Sequence, residues 1–245
     1  MQQNHNFTSF VLLGNEEFDF LKLQNLLNNE FDILIPDENF NQDGVIFYHK
    51  NMLVTLSLIK NPIPNKEAEY YANFNFMWKD ALKETKKHKA HLLIAVLSQS
   101  ESKLEQAKLF TQVSSVCLQD RNALGFYTGG VVLEPKFYIE NANMLKENRL
   151  PVYNWVYVSV YPCENGVNAY TYGLRNFNRL EFEVCESKME EKELFFSLYD
   201  IILHILTYDI ELKDLDTLKF ENGKNISFSK SKGVSVEGDS LKINF

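Results

Sequence analysis

The chain has 245 residues, 45% of them hydrophobic and 24% charged, and a formal net charge of −8. That length buries a sizeable core as one large domain or two small ones, and the composition is that of an ordinary globular protein. The acidic balance argues against a nucleic-acid backbone as partner, because phosphate binding needs a concentrated basic surface, and no segment approaches the ~18 consecutive apolar residues of a membrane span.

Phe10 to Leu13, closed by Gly14, reads as a first strand, and Phe20, Leu23, Leu26 and Leu27 recur at helical spacing up to Phe31. Val45 to Tyr48 and Met52 to Ile59 frame a turn at Lys50-Asn51 and predict a hairpin. Beyond Pro62 and Pro64, Asn65 is placed to cap a helix whose apolar stripe is Tyr70, Tyr71, Phe74, Met77, Trp78 and Leu82. The basic end Lys86-Lys-His-Lys89 runs into His91 to Leu97, a stretch without polar alternation that predicts a central strand covered on both faces. Ser100 is placed to cap a helix through Leu118. Gly125 and Gly129-Gly130 bracket two short strands, and a helix from Lys136 to Glu147 follows Pro135.

The second half is richer in strands. Val152 to Tyr161 alternates valine with aromatics (Tyr153, Trp155, Tyr157), so both faces of that strand are apolar. Glu164-Asn165-Gly166 is a hairpin signal. Phe182 and Val184 alternate with Glu181, Glu183 and Cys185, which predicts one buried and one wet face. Glu190 to Tyr208 carries a continuous aliphatic stripe with glutamates in its first turn, the strongest helix in the chain. Strands then end the sequence, with a last turn at Glu237-Gly238-Asp239. Strands paired in hairpins with helices between them predict an α+β fold: mixed, largely antiparallel sheets with helices packed on them, and a hairpin-rich C-terminal half. Residues 1–245 read as a single domain, with Leu150-Pro151 as the place for a lobe boundary.

Short signatures recur through the chain: Asn61-Pro-Ile-Pro64, Lys87-His-Lys-Ala-His91, Ala123-Leu-Gly-Phe-Tyr127, Gly130-Val-Val-Leu-Glu-Pro135, Leu150-Pro151 with Trp155-Val156, Tyr170-Thr-Tyr-Gly-Leu174, Leu180-Glu-Phe-Glu183 and Ser231-Lys-Gly-Val234. In this order they resemble the bacterial domain-of-unknown-function 4261 family. The chain departs from that pattern at Asn178, where glycine is more usual. The resemblance implies no activity.

Residues that could carry chemistry are few. His88 and His91 stand three apart, a metal-pair spacing on one helix, but the helix is read as ending between them. They are expected to serve instead as a helix-end cap and a strand-entry hydrogen bond. Gly129-Gly130 lacks the helix that a phosphate loop opens, and the serines lack a nucleophile-elbow context. Cys117, Cys163 and Cys185 have no metal-like spacing and read as reduced thiols. Met1-Gln-Gln-Asn-His-Asn has no basic head and apolar run, so a cytoplasmic location is expected. Glu181 and Glu183 share a strand face about 7 Å apart, a spacing seen in paired-carboxylate enzymes and far more often on solvated strands.

Trp155, Tyr157, Tyr172, Arg175 and Arg179 form the better cluster, since Arg with Tyr and Trp is the composition of binding hot spots. The structural alternative pairs those arginines with Glu181 and Glu183. The expected function is therefore a non-enzymatic module that binds another protein, neither nucleic acid nor membrane, with no metal and no cofactor, and with toxin neutralisation (an immunity-type role) as a specific form. The alternative is an enzyme or small-molecule-binding protein with a site assembled around His91, Tyr127, Trp155 and Glu181.

Overall fold

The computed structural model describes residues 7–219 and 225–245. The opening residues 1–6, on which the reading of a chain without a leader rests, lie outside the described residues. The chain divides into two compact units, 1–154 and 155–245.

In the first unit β1 (Phe7–Leu13) leads to α1 (Phe20–Phe31), which Asp19 caps by accepting from the Lys22 amide. The two-residue β2 (Phe40–Asn41) precedes the hairpin β3 (Gly44–His49) and β4 (Met52–Ile59). Lys50 and Asn51 both take positive φ at its turn, the backbone a two-residue hairpin requires. The helix expected from Asn65 to Leu82 is broken into α2 (Glu67–Ala72) and α3 (Ala81–Thr85), and Asn65 itself is left-handed rather than a cap. Asn75 is the breaker: its Oδ1 accepts from the Met77 and Trp78 amides and its Nδ2 donates to the Val132 carbonyl, so the side chain competes with the helical ladder.

The central β5 (Ala90–Leu97) runs to α4 (Lys103–Cys117). Ser102, not Ser100, caps that helix by accepting from the Glu105 amide. Then follow β6 (Ala123–Tyr127), β7 (Val132–Leu133) and α5 (Pro135–Ala142), which continues as a short 3-10 turn to Glu147. The seven strands form one antiparallel sheet in the order β2-β3-β4-β5-β1-β6-β7.

Residues 152–155 form one helical turn, α6 (Val152–Trp155), where alternation predicted strand. The second unit then holds β8 (Tyr157–Cys163), β9 (Gly166–Tyr172), β10 (Glu181–Ser187), α7 (Glu191–Thr207), β11 (Thr217–Lys219), β12 (Asn225–Lys232) and β13 (Asp239–Asn244). The sheet order is β11-β12-β13-β10-β9-β8, and β10 with β13 is its parallel pair. Leu194, Leu198, Ile201, Ile202 and Ile205 of α7 are fully buried, as their spacing predicts for a helix that covers a sheet. Asn178 sits at φ 58, so the residue that stands where glycine is more usual occupies a left-handed position that asparagine tolerates well. The architecture is α+β with mostly antiparallel sheets, and no described helix is long and apolar enough to cross a membrane.

Candidate functional site

The two faces of the first sheet differ. Phe7, Val11, Leu92, Ile94, Val54 and Phe47 lie on one face and are almost wholly buried beneath helices that include α4. Cross-strand register places Tyr48 opposite Leu53 and Leu53 opposite Leu97, and Ile46 opposite Thr55 and Thr55 opposite Ala95. Phe10 lies opposite both Leu93 and Tyr127 on the same side.

Among the described residues that second face is covered by helices at its β1-β6-β7 end, where Leu12, Tyr127 and Val132 pack with Ala68, Ala72 and Ala81 of α2 and α3. Away from that end it is half-open, with Ala95 still buried. Ile46 is 52% and Tyr48 74% exposed, and Leu53, Leu93 and Leu97 are half-buried. The strand 91–97 is thus central, as expected, but only one of its faces is fully covered, which corrects the reading of cover on both. The apolar surface continues along α2. Aromatic rings touch in series from Phe10 to Tyr127 (6.0 Å), Tyr71 (6.1 Å), Tyr70 (5.3 Å) and Phe74 (5.2 Å), and the last two are exposed. Contiguous exposed apolar surface of this kind marks interaction sites in soluble proteins.

The histidines beside this face are structural, as their junction position predicted. The Ile63 amide donates to His88 Nε2 (2.9 Å), so Nδ1 carries the proton and donates to the Thr85 carbonyl (2.6 Å). His91 Nδ1 donates to the Asn61 carbonyl (2.7 Å). Burial holds its pKa below the usual value, opposed by that hydrogen bond. Tyr127 donates to Glu67 (2.7 Å). Among the described residues no three His, Cys, Asp or Glu side chains converge as a metal ion would require. The three cysteines are free thiols.

In the second unit Trp155 and Tyr157 are each only 7% exposed, Trp155 packing on Phe177 at 5.5 Å, whereas Tyr172 is exposed. Arg175 donates to the Glu237 carbonyl. Arg179 donates to the Ile210 carbonyl (3.0 Å) and pairs with Asp209 (2.7 Å). The arginine side chains therefore do not pair with Glu181 or Glu183; they tie the segment between β9 and β10 to the loops at Glu237 and Asp209-Ile210. Of the four residues nominated for an assembled site, His91 and Tyr127 belong to the first unit and both touch Phe10. Trp155 and Glu181 belong to the second and both meet Gly173, whose positive φ leaves no room for a side chain against the Trp155 carbonyl.

The expected wet face of β10 is exposed at Cys185 but dry at its two glutamates: Glu181 is 2% and Glu183 1% exposed. Glu181 accepts from Thr171 Oγ1 (2.7 Å) and from the amides of Gly173 (2.9 Å), Leu174 (3.3 Å) and Arg175 (3.2 Å), capping the turn after β9. Burial raises its pKa, and these four donors oppose the rise. Glu183 accepts from the Val234 (3.0 Å) and Ser235 (2.5 Å) amides, from Ser240 Oγ and from Lys242 Nζ. Burial pushes its pKa up, but the Lys242 and Ser240 bonds and the two amides outweigh it and hold the carboxyl below its usual value. Glu181 and Glu183 are thus each saturated by donors that fold a loop. Alternation alone places them outside, and the count of backbone donors nearby is invisible in sequence.

A carboxylate with a depressed pKa contributes stability above its ordinary value of 4.5, and that contribution is lost as pH falls through the lower folded value. Glu183→Gln should therefore cost about 1–3 kcal/mol at neutral pH and flatten the acid limb of the stability profile. Urea melts between neutral and acid pH measure both. An unchanged acid limb would show that Glu183 does not titrate with folding.

Residues 170–244 match the family model described as Domain of unknown function (DUF4261). The signatures from Asn61 to Trp155 that carry the wider sequence resemblance lie outside this matched stretch. No curated protein and no solved structure matches the chain.

Proposed function

This chain belongs to the DUF4261 family through residues 170–244, and because that description carries no activity we propose from its surfaces that it is a cytoplasmic, non-enzymatic protein-binding module. The observation that supports this most is the apolar, half-open second face of the first sheet, continued by the exposed aromatics of α2. The net charge of −8 favours a partner with a basic surface, since complementary charge accelerates encounter and excludes acidic competitors. The free thiols suit a reducing compartment. Toxin neutralisation is the specific form of this reading, with a basic toxin as the partner; an acidic α+β domain suits that role.

Ile46→Asp combined with Tyr48→Asp should weaken binding of a stoichiometric partner recovered from the native host by about 2 kcal/mol or more. The melting transition should stay nearly unchanged, because both positions are exposed. Binding should also weaken as salt is raised. If the sheet-face variant binds like the parent while Arg175→Ala with Arg179→Ala does not, the interaction surface belongs to the second unit, where the sequence nominated it. For the toxin form, the partner should arrest growth when produced alone, and co-production of this chain should restore it.

A further inference from the structure

One cavity in the first unit has a chemistry that the docking surface does not use. It measures about 240 Å³ and lies between the β3–β4 turn, α4 and the stretch 145–150. Lys50, Lys108 and Arg149 line it, each from a different element, together with His49 and one carboxylate, Glu105. Glu105 is committed to Lys108 at 2.7 Å, and among the described residues Arg149 pairs with the exposed Glu147 at 3.3 Å. Lys50 makes no ion pair among the described residues. With Glu147 counted beside Glu105, three formal cations meet two carboxylates, a local excess of positive charge in a chain whose total is −8. Gathering like charges around a hollow costs repulsion that a bound anion relieves.

The rest of the lining narrows the ligand. Met52, Leu109, Leu145 and Leu150 supply apolar wall beside the cations. The volume is below the ~300–1,000 Å³ of pockets for drug-sized ligands, so a compact molecule is called for. A planar carboxylate engages one guanidinium fork, whereas a phosphate group offers three strong acceptor oxygens to donors arriving from several directions. We infer that this cavity binds a small organic phosphate, with Lys50, Lys108 and Arg149 on the phosphate and the leucine-methionine wall on its carbon skeleton. His49 supplies an internal reporter: burial first, and then Lys50, hold its pKa below the usual value. A dianion placed among Lys50, Lys108 and Arg149 offsets the second cause.

The test is isothermal titration of the full chain at low salt with inorganic phosphate, glycerol 3-phosphate and acetate, with the His49 ring followed by proton NMR. Saturable binding at a Kd of about 1 mM or tighter is expected for glycerol 3-phosphate, weaker binding for inorganic phosphate and none for acetate. The His49 pKa should rise with bound phosphate. Lys108→Ala and Arg149→Ala should each weaken binding about tenfold or more with the fold intact by melting, while Lys83→Ala, at a lysine of α3 that does not line the cavity, should leave it unchanged. Absence of saturable binding up to about 10 mM, or binding indifferent to both substitutions, would overturn the site. Equal affinity for acetate would overturn the phosphate assignment, and equal affinity for inorganic phosphate the organic one.

Discussion

Glu181→Ala should cost the second unit about 3–5 kcal/mol, enough to leave it largely unfolded near physiological temperature. The carboxylate is the acceptor for three backbone amides and a threonine hydroxyl at a buried turn. Alanine removes the acceptor and leaves the donors in place, and each orphaned buried donor costs about 1–3 kcal/mol. Thr171 would itself lose a partner, because its hydroxyl donates to the Glu181 carboxylate. The pH dependence has a definite sign. A carboxyl whose folded pKa is raised contributes stability below its ordinary 4.5, and that contribution is lost as pH rises through the folded value. The parent should therefore gain stability from this group on mild acidification, and Glu181→Gln should show no such gain.

The two tryptophans make the measurement clean: Trp78 lies in the first unit and Trp155 in the second. In a Trp78→Phe background, fluorescence during a urea melt reports the second unit alone. A Glu181→Ala variant that melts like its parent would mean that water satisfies the turn amides and the cap is dispensable.

Ile201→Ala should cost about 2–5 kcal/mol, the range for emptying a buried aliphatic site. Ile201 is fully buried in α7, flanked by Leu198, Ile202 and Ile205, which are equally enclosed. Leu203 lies on the opposite, exposed side of the same helix, and Leu203→Ala should stay within about 0.5 kcal/mol of the parent. The contrast between the pair is the test, read by the same Trp155 melt. Equal effects would show that α7 is not held by one face against the sheet.

Sequence pattern by itself determined the local elements. The 3.6-residue stripe from Leu194 to Ile205 specified both α7 and its buried face, because a long amphipathic period leaves a helix only one way to hide its side chains. Lys50-Asn51 and Glu164-Asn165-Gly166 specified hairpins through turn chemistry, and strands paired in hairpins with helices between them specified an α+β fold. The role of His88 at the helix end was legible for the same reason, since the Thr85 carbonyl is three residues away, whereas the partner of His91, the Asn61 carbonyl, lies thirty residues back and was not.

Tertiary structure decided the rest, wherever a partner comes from far along the chain. Asn75 breaks a promising helix because Val132, fifty-seven residues on, takes its amide. β10 alternates like a strand with one wet face, yet both glutamates are buried, because loops that alternation cannot see bring amides and Lys242 onto them. Conversely, the uninterrupted hydrophobic run of β5 promised cover on both faces, while α2 and α3 are too short to cover more than one end of the sheet. Periodicity reports which residues share a face. Whether that face meets a helix, a carboxylate's donors or open solvent depends on what the rest of the chain places over it, and the candidate interaction surface arises from that difference.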